Sequence, residues 1–161
     1  MNDIKILIIY DSQTGNTEKM ADAIAQGAKS VSNVKVEIKK VDSVKLGDLF
    51  ESDGLIIGSP TYYGLMSSKI KDLFDKSVKL HGKLSGKVGA AFTSAGGLAT
   101  GAETTLLSIL DAMLVHGMII QGRSDDKHYG VNCVGTPDKE TIVHCKELGK
   151  RTAELTVRLF A

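Results

Sequence analysis

Three short stretches of this 161-residue chain gather residue types suited to holding a ligand. In Asp11-Ser12-Gln13-Thr14-Gly15-Asn16-Thr17, three hydroxyls surround one glycine, and no lysine or arginine intervenes. A helix begins inside this segment. The free N–H groups of its first turn and the positive end of its dipole make an anion site. Hydroxyls and amides without a cation predict a terminal phosphate monoester rather than a triphosphate with its metal. The segment lacks the Gly-Lys-Ser/Thr of a nucleotide-triphosphate loop, and its single glycine falls short of a dinucleotide fingerprint. A phosphoacceptor receiver domain would end its third strand in aspartate, where Gly58-Ser59 stands. Taken alone, Ser12, Thr14 and Thr17 also read as ordinary cap and turn residues.

The second stretch is Ser59-Pro60-Thr61-Tyr62-Tyr63-Gly64-Leu65-Met66. Its paired tyrosines suit stacking on a planar heterocycle, and Gly64 lets a peptide group approach the ring edge. The third, Ser94-Ala95-Gly96-Gly97-Leu98-Ala99-Thr100-Gly101, is small and uncharged, so its amides can reach a flat polar edge. Seen singly, one is a turn covering the core rim and the other a flexible connector. Together they describe a mononucleotide with a large planar ring, held without metal.

The elements between these loops recur as apolar runs followed by amphipathic helical patterns. Ile4 to Tyr10 and Asp53 to Gly58 are nearly continuous apolar runs, expected of strands covered on both faces. Val34 to Ile38 alternates and predicts an edge strand with one solvated face; Lys87 to Ser94 is a fourth strand and Met118 to Gln121 a fifth. Helical spacing joins Met20, Ala21, Ile24, Ala25, Ala28 and Val31, and then Ile70, Leu73, Phe74 and Val78. Thr100 with Glu103 fits a capping box opening a helix that buries Leu106, Leu107, Leu110, Met113 and Leu114, and Gly117 ends it. Thr136-Pro137 reads as an N-cap and first helical position, followed by a stripe of Ile142, Cys145, Leu148, Thr152, Leu155 and Leu159. Five strands alternating with helices predict an α/β, doubly wound, mostly parallel sheet in one domain, residues 1–161. In such sheets ligands sit beyond the carboxyl ends of the strands, where the three loops lie.

Twenty Lys plus Arg against nineteen Asp plus Glu give a net charge of +1, which offers no global pull toward nucleic acid. No apolar run reaches the roughly 20 residues needed to span a bilayer, and Met1 to Tyr10 lacks a cleavage site. Cys133, placed in a loop, and Cys145, placed in the core, are too few for a disulfide framework. These features predict a reduced, cytoplasmic protein. Asp126-Lys127-His128-Tyr129-Gly130 misses a cobalamin motif by one residue and by its position in the chain. Tyr129 is still a candidate cap of the pocket. His81, Lys79 and Lys83 read as solvated surface. His116 stands where a helix ends, a favourable place for a histidine whatever its function.

Tyr10 to Thr17, with Ala21 and Ile24 following, resembles the FMN-phosphate signature of the flavodoxin superfamily. Gly58 to Ser67, Phe92 to Thr104 and His116-Gly117-Met118 are most similar to the tryptophan-repressor-binding-protein type of NAD(P)H:quinone oxidoreductase. Lys39 to Asp53 is shorter than the matching segment of that type. Tyr62 replaces a basic residue, as in the flavodoxin-like domains of flavo-diiron proteins. The resemblance implies a five-stranded sheet in the order 2-1-3-4-5 with helices on both faces. It implies FMN held by Ser12, Gln13, Thr14, Gly15, Asn16 and Thr17 at the phosphate, with Pro60, Thr61, Tyr62, Tyr63 and Gly64 on one side of the ring. Ser94, Ala95, Gly96, Gly97 and Leu98 would lie on the other. His116 would be the catalytic residue near flavin and substrate. The expected activity is hydride transfer from NAD(P)H to a quinone-type acceptor, in a dimer or tetramer. The alternative is a flavodoxin shuttling single electrons between protein partners, although such carriers are usually acidic.

Overall fold

The computed structural model describes residues 4–161; Met1, Asn2 and Asp3, the first part of the Met1 to Tyr10 segment expected to lack a cleavage site, lie outside the described residues. Strands β1 (Ile4–Tyr10), β2 (Val34–Lys40), β3 (Gly54–Pro60), β4 (Val88–Ala95), β5 (Ile119–Ile120) and β6 (Val131–Val134) form one parallel sheet. Its order is β2-β1-β3-β4-β5, with β6 also paired to β4. Helices α1 (Asn16–Lys29), α2 (Leu46–Glu51), α3 (Ser68–Lys76), α4 (Ala102–Val115) and α5 (Lys139–Phe160) cover it.

Successive strand side chains point to opposite faces, so the apolar runs feed two cores. Ile6, Ile8, Ile56, Ala90 and Phe92 pack with Met20, Ala21 and Ile24 of α1 and with Cys145 and Leu148 of α5. Leu7, Ile9, Leu55, Ile57 and Ala91 pack with Leu49 of α2, Ile70 and Leu73 of α3, and Leu106, Ile109, Leu110 and Met113 of α4. Helices α1 and α5 approach backbone to backbone. A Cβ at Gly27 would lie 1.9 Å from the Lys146 carbonyl oxygen, and one at Gly149 the same distance from that of Ile24.

The fifth strand position differs from expectation. Two short strands share it, β5 beside Val88 and Gly89 and β6 beside Phe92 to Ala95, and residues 121–130 loop out between them. Cys133 therefore sits on a strand, 6% exposed, not in a loop. The caps also move. Thr100 does not open α4: its hydroxyl turns back to the Gly97 carbonyl, and Gly101, at φ +99°, is the N-cap. Thr136 does not open α5 either, because the Asp138 carboxylate accepts the Thr141 N–H at 2.8 Å. Leu107 and Leu114 are exposed, since the core stripe of α4 runs through Leu106, Ile109, Leu110 and Met113 and these two lie beside it. Val78 falls beyond the end of α3 in a 3-10 turn and faces solvent, and Leu159 faces solvent in the last turn of α5. Helix α2, six residues long, has no counterpart in the sequence reading; Asp48 accepts the Lys45 N–H at its start.

A ligand pocket at the carboxyl end of the sheet

The loop after β1 is held from both sides. Asp11 N–H donates to the Gly58 carbonyl at 3.1 Å, and the Ser12 hydroxyl accepts the Gly15 N–H at 3.0 Å. Gly15, at φ +89°, is the N-cap of α1 and no side chain caps that helix. The first helical bond runs from Lys19 N–H to the Gly15 carbonyl, so the amides of the first turn are open to a ligand. The Tyr10 phenol donates to Glu18 at 2.8 Å, joining the end of β1 to that first turn; burial and the Glu18 carboxylate push it up to about 12.

Across the opening, Tyr62 and Leu65 exchange backbone hydrogen bonds at 3.1 and 3.0 Å. Tyr63 at φ +51° and Gly64 at φ +74° form the tight turn between them, the geometry that favours glycine at its second central position. Gly64 also packs on the start of α4, where a Cβ on Gly101 would meet its Cα at 2.5 Å. Thr61 is fixed to β4 by its N–H to the Ser94 carbonyl at 2.7 Å and by its hydroxyl to that of Thr93 at 2.9 Å. The Thr17 and Ser94 hydroxyls meet at 2.8 Å. Thus the first and third loops share one polar floor.

The result is a hollow of about 270 Å³ lined by Ser12, Gln13, Thr14, Asn16, Thr17, Pro60, Thr61, Tyr62, Ser94, Ala95, Gly96 and Gly135. None of these side chains is charged at neutral pH; burial and the charge of Asp11 raise the Tyr62 phenol above its ordinary value. Of two larger hollows, the one of about 410 Å³ beside α3 has half of its lining residues charged, and the one of about 400 Å³ beside residues 121–125 has most of them charged. Several of these are already ion-paired: Asp42 with Lys69, and Arg123 with Asp125 and Glu147. Size therefore points away from the loops, and chemistry points to them. Apolar and polar walls with open amides are what a ligand site requires.

The sequence pattern of the flavodoxin family, described as flavodoxin, matches residues 8–107. The chain belongs to the flavodoxin family. A flavodoxin of Aquifex aeolicus is 40% identical over 158 residues, covering 93% of this chain and 85% of that one. An NAD(P)H dehydrogenase (quinone) of Archaeoglobus fulgidus is 36% identical over 189 positions, covering 96% and 98%. That alignment is longer than the chain's 161 residues, so this relative carries segments that this flavodoxin-family chain lacks. In fold, the flavodoxin, WrbA-like protein from Agrobacterium tumefaciens superposes with a TM-score of 0.85 at 22% identity, covering 97% of this chain and 99% of that one.

Eleven of the residues marked in the sequence line the pocket, and Gly15 shapes it from the N-cap. Others do not enter. Tyr63 is wholly exposed and Leu98 is 86% exposed at the loop tips, while Gly64 and Gly97 act as turn backbone. Tyr129 lines a separate hollow of about 180 Å³ with Glu103, Lys127, His128 and Asn132. His116 is not brought to the pocket. Helix α4 starts beside Gly64 and runs back along the sheet for 14 residues, roughly 21 Å, before His116. There its Nε2 meets the Ser77 hydroxyl at 2.7 Å, at the amino ends of the strands. Gly135, missed in the sequence, joins the wall because its N–H donates to the Ala95 carbonyl at 2.9 Å. Its signal was a glycine closing the apolar run from Val131.

These residues fit the FMN that the resemblance implies. The uncapped start of α1 with the Ser12, Thr14 and Thr17 hydroxyls suits a phosphate, and Tyr62 lines the same hollow as the small residues of the 94–96 segment, which suits a flat ring.

Proposed function

We propose that this chain binds FMN in the pocket and serves as a flavodoxin-type carrier of single electrons between protein partners. One observation carries the reading: every residue lining the pocket is uncharged, and none is an acid or base suited to neutral pH. Such a wall binds and orients, and FMN supplies the redox chemistry when bound. Ser12, Thr14 and Thr17 and the amides of Asn16 and Thr17 would hold the phosphate. Tyr62 would cover one face of the ring and Ser94, Ala95 and Gly96 the other, keeping water from both. Both cysteines are free and buried, in keeping with the cytoplasmic placement we propose.

A second reading is favoured by the Archaeoglobus relative, which aligns along 98% of its length. In it the chain takes hydride from NAD(P)H and reduces a quinone. It would do so without His116, which stands at the other end of the sheet.

The test is the visible spectrum of the FMN-loaded protein under anaerobic conditions, before and after NADH or NADPH. An unchanged spectrum, with reversible reduction by dithionite and reoxidation by cytochrome c, is expected for the carrier. Rapid bleaching of the flavin followed by quinone turnover would favour the second reading. Failure of the protein to retain FMN would overturn both.

A further inference from the structure

Helix α4 differs from α3 in what it shows to solvent. On α3 the exposed residues Lys71, Asp72, Asp75 and Lys76 are charged and close two ion pairs among themselves. In the second half of α4, Leu114 and Val115 are 56% and 73% exposed, and Asp111 is the only charge. Asp111 and Val115 lie one turn apart on the same side of the helix. The turn that follows α3 is fastened to the end of α4. The His116 ring meets the Ser77 hydroxyl at 2.7 Å and lies 6.3 Å from the His81 ring, and the Gly86 N–H donates to the Gly117 carbonyl at 2.9 Å. That turn adds Val78, 68% exposed, and two exposed lysines, Lys79 and Lys83. Among the described residues neither lysine has an ion pair, and neither has Asp111. The face thus has an apolar middle, an unpaired acid on the side toward the carboxyl end of the sheet, and unpaired lysines at the amino end. An apolar patch rimmed by polar residues marks a contact surface.

We propose that a second copy of this chain covers this face, α4 against α4, about a two-fold axis beside Val115. A two-fold contact pairs residue i of one protomer with residue j of its partner, and j with i. Rotation about Val115 carries the Asp111 of each protomer toward the Lys79 and Lys83 of the other, with Val78, Leu114 and Val115 between. The face is therefore complementary to itself. An acidic peptide or an anionic membrane would satisfy the lysines but leave Asp111 against like charge. A net charge of +1 puts little repulsion between copies. The apolar middle is small, so the association is of the weak, reversible kind. Both pockets stay open, because α4 starts beside Gly64 and runs roughly 21 Å back to this face. The proposal does not depend on what the pockets hold.

The experiment is sedimentation equilibrium of the full chain at low salt, from roughly 10 μM to 1 mM. The parent is expected to dimerise within that range. Asp111→Lys, and separately Lys79→Glu combined with Lys83→Glu, each set like charges against one another twice across the axis. Each should weaken dimerisation by roughly a hundredfold, about tenfold for each of the two related contacts. An equimolar mixture of the two variants should dimerise like the parent, because every reversed charge then meets its opposite. A parent that stays monomeric at about 1 mM would overturn the proposal. Variants that dimerise as well as the parent would place the contact elsewhere and overturn it too, as would a mixture that stays monomeric. A monomeric parent that floats with phosphatidylglycerol vesicles, and loses this in the lysine variant, would give the face to a membrane instead. A monomeric parent that binds a fluorescent glutamate-rich peptide would give it to an acidic partner. Should a charge-reversed variant fail to fold, Leu114→Ser combined with Val115→Ser carries the test: a weakened dimer supports the proposal, and a parental one overturns it.

Discussion

At the carboxyl end of the sheet, no described side chain caps the start of α1, and uncharged hydroxyls line a hollow. At the amino end most polar groups are spent on one another, His116 Nδ1 being the buried exception. The Lys87 ammonium donates to the carbonyls of Phe50 at 2.9 Å and Ser52 at 2.5 Å, the Lys5 N–H reaches Asp53 at 2.9 Å, and the Gly86 N–H reaches Gly117 at 2.9 Å. Ser77 gives its single proton to the Phe74 carbonyl, so its oxygen accepts from Nε2–H of His116. The same strands support both ends, so the difference lies in the loops. An unsatisfied polar group weakens a fold but can bind; a satisfied one stabilises and is unavailable. The lesson is that the ligand end is recognised by its unspent donors as much as by its shape.

The largest effect should come from breaking the ligand end. Ser12→Ala combined with Thr17→Ala removes two hydroxyls from the proposed phosphate cradle. Hydrogen bonds to charged groups contribute about 1.5–3 kcal/mol each, so FMN affinity should fall by roughly a hundredfold or more. Fluorescence titration of FMN into the FMN-free protein measures this, and parental affinity in the double variant would refute the phosphate assignment. The opposite pattern is expected of Lys87→Met. It leaves the Phe50 and Ser52 carbonyls without their donor and should cost about 1–2 kcal/mol in urea unfolding, with FMN affinity unchanged. A loss of FMN binding there would erase the distinction between the two ends.

His116 sharpens the contrast by pH. Its Nδ1 is buried without a partner, and burial, with His81 nearby, lowers its pKa below the ordinary histidine value. The unfolded chain therefore takes up a proton near pH 6.5 that the folded chain refuses until lower pH. Stability is full above about pH 6.5 and is lost as the pH falls through the gap between the two values. Thermal melts at pH 7.5 and 5.5 should show a smaller acid penalty for His116→Phe than for the parent. The same variant should keep its FMN. Diminished FMN binding would return His116 to the pocket.

Most of the fold and the turn that opens α1 were legible because their signals are local. Apolar runs mark β1 and β3, and Ser12 to Thr17 carries its own turn, cap and donors. What depended on distant pairing was not. The split of the fifth strand rests on Val131 to Val134 finding Phe92 to Ala95, which no periodicity of four residues announces; Cys133 was misplaced and Gly135 missed with it. The placement of His116 was recoverable. A helix that follows a parallel strand runs back along the sheet, so its last residue belongs at the amino end. The exposure of Leu107 and Leu114 follows from angle: both are apolar, but the sheet covers only one stripe of α4.

Helix starts were the least legible feature, and the smallest effect tests one of them. Thr136-Pro137 and Asp138 both suit an N-cap, and the structure chooses Asp138, whose carboxylate accepts the Thr141 N–H. Unlike α1, then, α5 closes its own first turn and offers no open amide set to an anion. Asp138→Ala should cost about 1 kcal/mol in urea unfolding. Thr136→Ala, two residues before the cap, should stay within about 0.5 kcal/mol of the parent. Equal losses would mean that the helix start shifts between the two residues, and a larger loss at Thr136 would place the cap where the dipeptide first suggested. Neither variant should alter FMN affinity, because the anion site proposed at this end of the sheet belongs to α1, whose first turn no described side chain caps.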